Sequence, residues 1–185
     1  MPTYIAMLRG INVLGRKIVK MDRLRSSFES LGFRHVTTYV ASGNVVFQAA
    51  KQSPARLSAK IGEKIRREFG FSVSIVLKTP QELEKIVRNN PFPKNKQIDV
   101  SKLHVTFLSE RPATNTHKTL ESIAAGPDRF HGADHAVYLY CPDGYGRTKF
   151  GNNTLEKKLA VGATTRNWKT VTTLLKMASE SGVTR

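Results

Sequence analysis

Between residues 4 and 77 the hydrophobic spacing switches between a strand period and a helical period in a fixed order, and that order constrains the fold most strongly. Tyr4–Leu8 reads as a strand. Met21, Leu24, Phe28 and Leu31 then recur at helical spacing, and Gly32 stands where a helix-terminating glycine belongs. Val36–Ala41 and Asn44–Gln48 read as two strands around Ser42-Gly43, a two-residue hairpin loop. Ser53 and Pro54 open a second helix as N-cap and first residue. Leu57, Ile61, Ile65 and Phe69 share its inner face, and Gly70 stops it. Phe71–Leu77 is the next strand.

The order β-α-β-β-α-β is the ferredoxin-like arrangement. Thr79-Pro80-Gln81-Glu82 has the form of a capping box, and the helix it opens turns Leu83, Ile86 and Val87 inward. Asn89–Lys96 is polar and broken by Pro91 and Pro93, which sets a boundary. The expected division is a ferredoxin-like subdomain over 1–90, a linker over 91–101, and a second α+β subdomain over 102–185 ending in a pair of helices. In that second part Leu103–Leu108 and Ala136–Cys141 read as strands, and a helix runs near Asn115–Ala125. Another helix starts at Asn153 with Glu156 as its box partner. The last helix turns Trp168, Val171, Leu175 and Ala178 to one side. The fold class expected is α+β, with two ferredoxin-like subdomains, the second less regular.

Charge directs attention to anionic partners. Thirty Lys and Arg stand against fourteen Asp and Glu, a formal net charge of +16. Such a surplus favours polyanions at low salt, because each neutralised phosphate releases a counterion. No run of five or six like charges occurs, so the excess belongs to a folded surface. The lone Cys141 excludes an internal disulfide and fits a reducing cytosol. No apolar run approaches the roughly 18 residues of a membrane span, and the first residues lack the pattern of a secretory signal. The expectation is a cytoplasmic protein with no membrane partner.

Cofactor and metal chemistry find no support. His131 and His135 sit in a loop around Gly132, not on a helix face, and His35, His104 and His117 are scattered. Gly144-Tyr145-Gly146-Arg147 lacks the third glycine of a dinucleotide loop, and neither a Gly-x-Ser-x-Gly elbow nor a phosphate-binding Gly-Lys-Ser/Thr loop occurs. Neither a metal nor a cofactor is expected. No catalytic residue is assigned, and enzymatic activity and oligomeric state are left open.

Three segments carry a family resemblance: Leu8-Arg9-Gly10-Ile11-Asn12-Val13, Ser42-Gly43-Asn44-Val45-Val46-Phe47 and Ala163-Thr164-Thr165-Arg166-Asn167-Trp168. In this order and at these separations they resemble the bacterial family called domain of unknown function 1697 (DUF1697). The resemblance spans nearly the whole chain and implies a two-part α+β fold with ferredoxin-like subdomains. It brings no activity, substrate or cofactor with it. The family typically has a second glycine where this chain has Leu14 before Gly15.

The candidate site is an anion-binding corner at the start of the last helix. Thr164 or Thr165 is expected to cap that helix, and Arg166 and Asn167 to occupy its first turn, where an acid would be usual. A bound phosphate or carboxylate would reverse the unfavourable sign of Arg166 there. Arg9 and Asn12, after the first strand, are expected to contribute, with Ser42, Asn44, Arg147 and Lys149 as additional candidates. Arg56, Lys60, Lys64 and Arg67 on the outer face of the second helix offer generic phosphate contact. An orthodox RNA-recognition motif is not expected, since Asn44, Val45 and Val46 follow Gly43 where stacking aromatics belong and Tyr4 is the only compatible aromatic on the first strand. The expected function is a non-catalytic binder of an anionic ligand, with nucleic acid as the leading class. The alternative is an enzyme or sensor for a phosphorylated or carboxylated metabolite, which requires these segments to share one pocket.

Overall fold

A computed structural model describes residues 1–181. The chain divides into two compact units: residues 1–83 together with those from 174 onward, and residues 84–173. Each is an α+β unit around one four-stranded antiparallel sheet.

The first unit contains β1 (Thr3–Leu8), α1 (Met21–Glu29), β2 (Arg34–Tyr39), β3 (Asn44–Gln48), α2 (Pro54–Phe69) and β4 (Ile75–Lys78), with sheet order β2-β3-β1-β4. Period-two alternation sends Tyr4, Ala6 and Leu8 to the same face as Val45 and Phe47. There they meet Leu24 and Phe28 of α1 and Leu57, Ile61 and Ile65 of α2. Phe47 anchors the layer: Phe33 stacks on it at 4.7 Å and Phe28 meets it edge-on at 5.2 Å. The α2 boundaries follow their local chemistry. Ser53 Oγ accepts the Arg56 N–H at 3.3 Å, Pro54 is the first helical residue, and Gly70 takes the left-handed conformation at φ 78°.

Two strand boundaries differ from the sequence expectation. The β2–β3 connection is Val40–Gly43, four residues instead of two. Asn44 already pairs with Tyr39, and its Nδ2 donates to Tyr39 O at 3.0 Å. β4 starts at Ile75, the partner of Leu8 at the end of the β1 ladder, and Phe71 and Val73 pack against the core instead.

Helix α3 (Pro80–Arg88) begins with the capping box expected of it. Thr79 Oγ1 accepts the Glu82 N–H at 3.2 Å, and Glu82 Oε2 accepts the Thr79 N–H at 2.7 Å. The proline-broken segment after it folds into two 3-10 turns, Phe92–Lys94 and Val100–Lys102, and falls within the second unit.

The second unit contains β5 (Leu103–Leu108), α4 (Thr116–Leu120), β6 (Arg129–Gly132), β7 (Ala136–Tyr140), α5 (Asn152–Leu159) and β8 (Ala163–Asn167), with sheet order β6-β7-β5-β8. Element order and strand permutation both repeat those of the first unit. Its helices are shorter: α4 has 5 residues and α5 has 8, against 16 in α2. Helix α4 ends at Leu120, short of the expected Ala125, and α5 starts one residue early, after Gly151. Glu156 Oε1 accepts the Ala163 N–H at 3.0 Å and so ties α5 to β8. Strands β6 and β8 were not anticipated. Gly132 in β6 lets α4 close in, since a Cβ there would stand 2.5 Å from His117 N.

Helix α6 (Trp168–Ser181) starts in the second unit and finishes in the first. No helix among the described residues is long and apolar enough to cross a membrane.

Candidate anion-binding site

The residues expected at the start of the last helix lie on a strand. Thr164, Thr165 and Arg166 belong to β8, which pairs with β5 so that Phe107 faces Thr164, Thr106 faces Thr165, Val105 faces Arg166 and His104 faces Asn167. Strand alternation therefore sends Thr164 and Arg166 to one face and Thr165 and Asn167 to the other. The four side chains cannot close on one anion as a helix turn would. The cap of α6 is Asn167, whose Oδ1 accepts the Thr170 N–H at 2.8 Å. This corrects the expectation of a threonine cap.

Arg166 is only 8% exposed. Its Nη1 donates to Thr164 Oγ1 at 2.8 Å and to Thr165 O at 2.9 Å, both neutral oxygens. Burial pulls its pKa down to about 10, with Tyr145 pulling the other way. The guanidinium therefore stays charged at neutral pH, inside the protein and not in water.

On the opposite face Thr165 is the centre of a hydroxyl network that sequence reasoning missed. Its Oγ1 lies 2.7 Å from Thr106 Oγ1, 2.9 Å from Tyr145 OH and 2.7 Å from Asn152 Oδ1. A hydroxyl has one proton and two lone pairs, and Asn152 Oδ1 can only accept. Thr165 thus donates to Asn152 and accepts from Thr106 and Tyr145, which fixes every proton and saturates the oxygen. His104 stacks on Tyr145 at 4.9 Å, and burial lowers its pKa. The available signal was Thr106, a polar residue on β5 that is fully buried.

In the first unit the segment from Arg9 to Lys20 forms a loop between β1 and α1 with a firm base and a protruding tip. Ile11 and Val19 are buried at its two ends. Asn12 clamps them: its Oδ1 accepts the Val19 N–H at 2.8 Å, and its Nδ2 donates to Val19 O at 2.9 Å and to Ala41 O at 2.7 Å. Asn12 also sits at φ 55°, a conformation asparagine tolerates better than most residues. Lys17 Nζ donates to Ser72 O at 2.8 Å and lies 5.6 Å above the Phe71 ring. At the tip Val13 and Arg16 form a small antiparallel bridge, with the Arg16 N–H on Val13 O at 2.9 Å.

Ser42 and Asn44 hold the neighbouring turn. Asn44 Nδ2 donates to Ser42 Oγ at 2.9 Å as well as to Tyr39 O, and Asn44 is fully buried. Gly43 between them is required: at φ 79° a Cβ would stand 2.6 Å from Ile11 Cδ1 and 2.9 Å from Leu8 Cβ. Asn12, Ser42 and Asn44 are thus engaged in shaping backbone. Arg9, Asn12, Ser42 and Asn44 belong to the first unit and Thr164–Asn167 to the second.

The remaining cations divide into engaged and exposed. On α2, Lys64 pairs with Glu68, Arg66 and Arg67 share Glu63, and Lys60 Nζ donates to Leu31 O at 3.0 Å. Those two arginines hold the Glu63 carboxyl down at about 2. Arg147, in a 3-10 turn, and Lys149 are exposed in the second unit. Lys78 on β4 is buried, and that burial lowers its pKa. Cys141 is buried too, and its thiol is pushed up to about 11, chiefly by burial. His117 and His131 lie 5.3 Å apart by ring centroid, but His117 Nδ1 accepts the Gly132 N–H. No group of three metal-ligating side chains forms among the described residues.

A model of the family described as "Protein of unknown function (DUF1697)" matches residues 1–138. The chain belongs to that family. The match covers the Arg9–Val13 and Ser42–Phe47 segments, whose structural work is the Asn12 clamp and the Gly43 contact. Comparison with curated proteins gives no match. Among solved structures the conserved bacterial protein SP0830 from Streptococcus pneumoniae superposes with a TM-score of 0.74 at 24% sequence identity. The alignment covers 96% of this chain and 98% of that one. It shows that the fold of this DUF1697 member is shared.

Proposed function

We propose that this DUF1697 member is a non-catalytic cytosolic binder of an anionic ligand, that the ligand is nucleic acid, and that the β1–α1 loop makes the contact. The observation that supports this is the charge of that loop. From Met1 to Met21 the sequence holds Arg9, Arg16, Lys17 and Lys20 and no acidic residue. Arg16 and Lys20 are exposed, and no carboxylate pairs with either among the described residues. The cations of α2, by contrast, are largely answered by Glu63 and Glu68. A loop whose base is clamped by Asn12 presents its charges with little ordering left to do on binding. The overall charge of +16 adds long-range attraction for any polyanion.

Fluorescence anisotropy of a labelled oligonucleotide with the wild-type chain and an Arg16→Ala/Lys20→Ala variant tests this. Each phosphate contact contributes about 0.9 to the slope of log K against log salt on duplex DNA, so the double variant should flatten that slope by about 1.8. An unchanged slope and affinity would remove the loop from the contact.

A further inference from the structure

Four of the large apolar side chains most open to water gather around this loop. Leu14 is 94% exposed, Ile18 62% and Val13 53%, and Val40, at 48%, lies next to the Ala41 carbonyl that Asn12 holds. Leu14 stands out further. It sits at φ 49°, followed by Gly15 at φ 71°, so both central residues of the Val13–Arg16 turn have positive φ. That is the signature of the tight two-residue hairpin turn, in which Asn, Asp or Gly is the comfortable choice. A leucine here is unfavourable twice, in its backbone conformation and in its contact with water. Its neighbours along the loop are Arg16, Lys17 and Lys20, with no acid among them.

We infer that Leu14 is an apolar wedge which enters a base step of double-stranded nucleic acid while Arg16 and Lys20 hold the flanking phosphates. This rests on the reading of nucleic acid as the ligand and names how the same loop engages it. Insertion of an apolar side chain such as leucine between base steps is a known way of unstacking and kinking a duplex from its minor groove. The loop has the parts this needs: a narrow tip, a base fixed by Asn12 and by the Lys17–Ser72 bond, and positive charge on the chain just beyond the turn. Charge complementarity selects the occupant. An uncharged protein surface would cover the leucine and leave Arg16 and Lys20 desolvated without partners.

The test uses a short duplex carrying 2-aminopurine, whose fluorescence rises when the base unstacks. It is titrated at low salt with the full-length wild type and with Leu14→Gly, a change that suits the positive φ and so spares the fold. Wild type should bind and raise the fluorescence. Leu14→Gly should bind roughly tenfold more weakly, the scale of one apolar side chain losing its burial, with the rise abolished and the salt slope kept. If wild type binds with a normal salt slope but no 2-aminopurine anywhere in the duplex brightens, the wedge is overturned and the nucleic-acid reading stands. If wild type fails to bind the duplex at all, both fall. Binding to anionic vesicles that depends on Leu14, with no duplex binding, would overturn both in favour of a lipid surface.

Discussion

Asn12 and Ala41 are 29 residues apart in sequence, and a 2.7 Å hydrogen bond from Asn12 Nδ2 to the Ala41 carbonyl joins them. This bond links the β1–α1 loop to the β2–β3 turn and brings the two segments that fall within the family match to one end of the first sheet. The third segment of the resemblance lies beyond that match, and its residues Ala163–Asn167 form the edge strand of the other sheet. The marked residues of the first two segments shape backbone, and the exposed charges are carried by residues beside them.

Asn12→Ala removes two bonds to Val19 and one to Ala41 and places alanine at positive φ. At roughly 1 kcal/mol per bond the chain should lose about 2–4 kcal/mol. Urea unfolding gives the number, and Asn12→Asp, which keeps the acceptor but loses the amide donor, should fall between alanine and wild type.

Gly43→Ala and Gly10→Ala separate conformation from crowding. Both glycines have positive φ, but nothing lies within 4 Å of a Cβ at Gly10, whereas Ile11 and Leu8 would be hit at Gly43. The Gly10 change should cost about 1–2 kcal/mol and the Gly43 change a further ~1–3 kcal/mol. Equal thermal shifts for the two variants would contradict the close approach at Gly43.

Thr165→Val is nearly isosteric and deletes the oxygen at which three hydrogen bonds meet. The second unit should be destabilised by about 1–3 kcal/mol. Thr165→Ser, which keeps the oxygen, should stay near wild type, and the pair can be compared by denaturant midpoint.

His104 sets a pH dependence. Burial lowers its pKa in the folded chain below the ordinary 6.5, so between the two values the unfolded chain binds more protons. Stability should therefore hold above 6.5 and fall as the pH drops through and below it, levelling only under the folded pKa. Burial and the neighbouring His117 lower His131 in the same direction, so His104→Gln should reduce the effect without abolishing it. Urea midpoints between about pH 8 and pH 5 measure this; stability that rises on acidification would contradict it.

The first unit was largely legible in the sequence because its signals are local. Ser53-Pro54 and Gly70 bracket α2, Thr79 and Glu82 open α3, and the apolar residues keep one period through each element. The second unit was harder. Strand β8 reads Ala163-Thr164-Thr165-Arg166-Asn167, polar enough to pass for a helix cap. Its strand character comes from pairing with β5, which leaves no mark on local sequence. Thr164 and Arg166 are buried by tertiary packing for the same reason. In the expected anion corner a strand therefore separates the side chains that a helix turn would have gathered. The charge excess was visible at once, but which cations carboxylates answer became clear only from the folded positions of Glu63 and Glu68.

Whether a polyanion meets the clamped basic loop is decided first by the salt dependence of wild-type binding to a short duplex. Log K should fall linearly as log salt rises, with a slope near −2 or steeper, about 0.9 for each of at least two phosphates neutralised. A slope near zero, or no binding at the lowest salt, would contradict it.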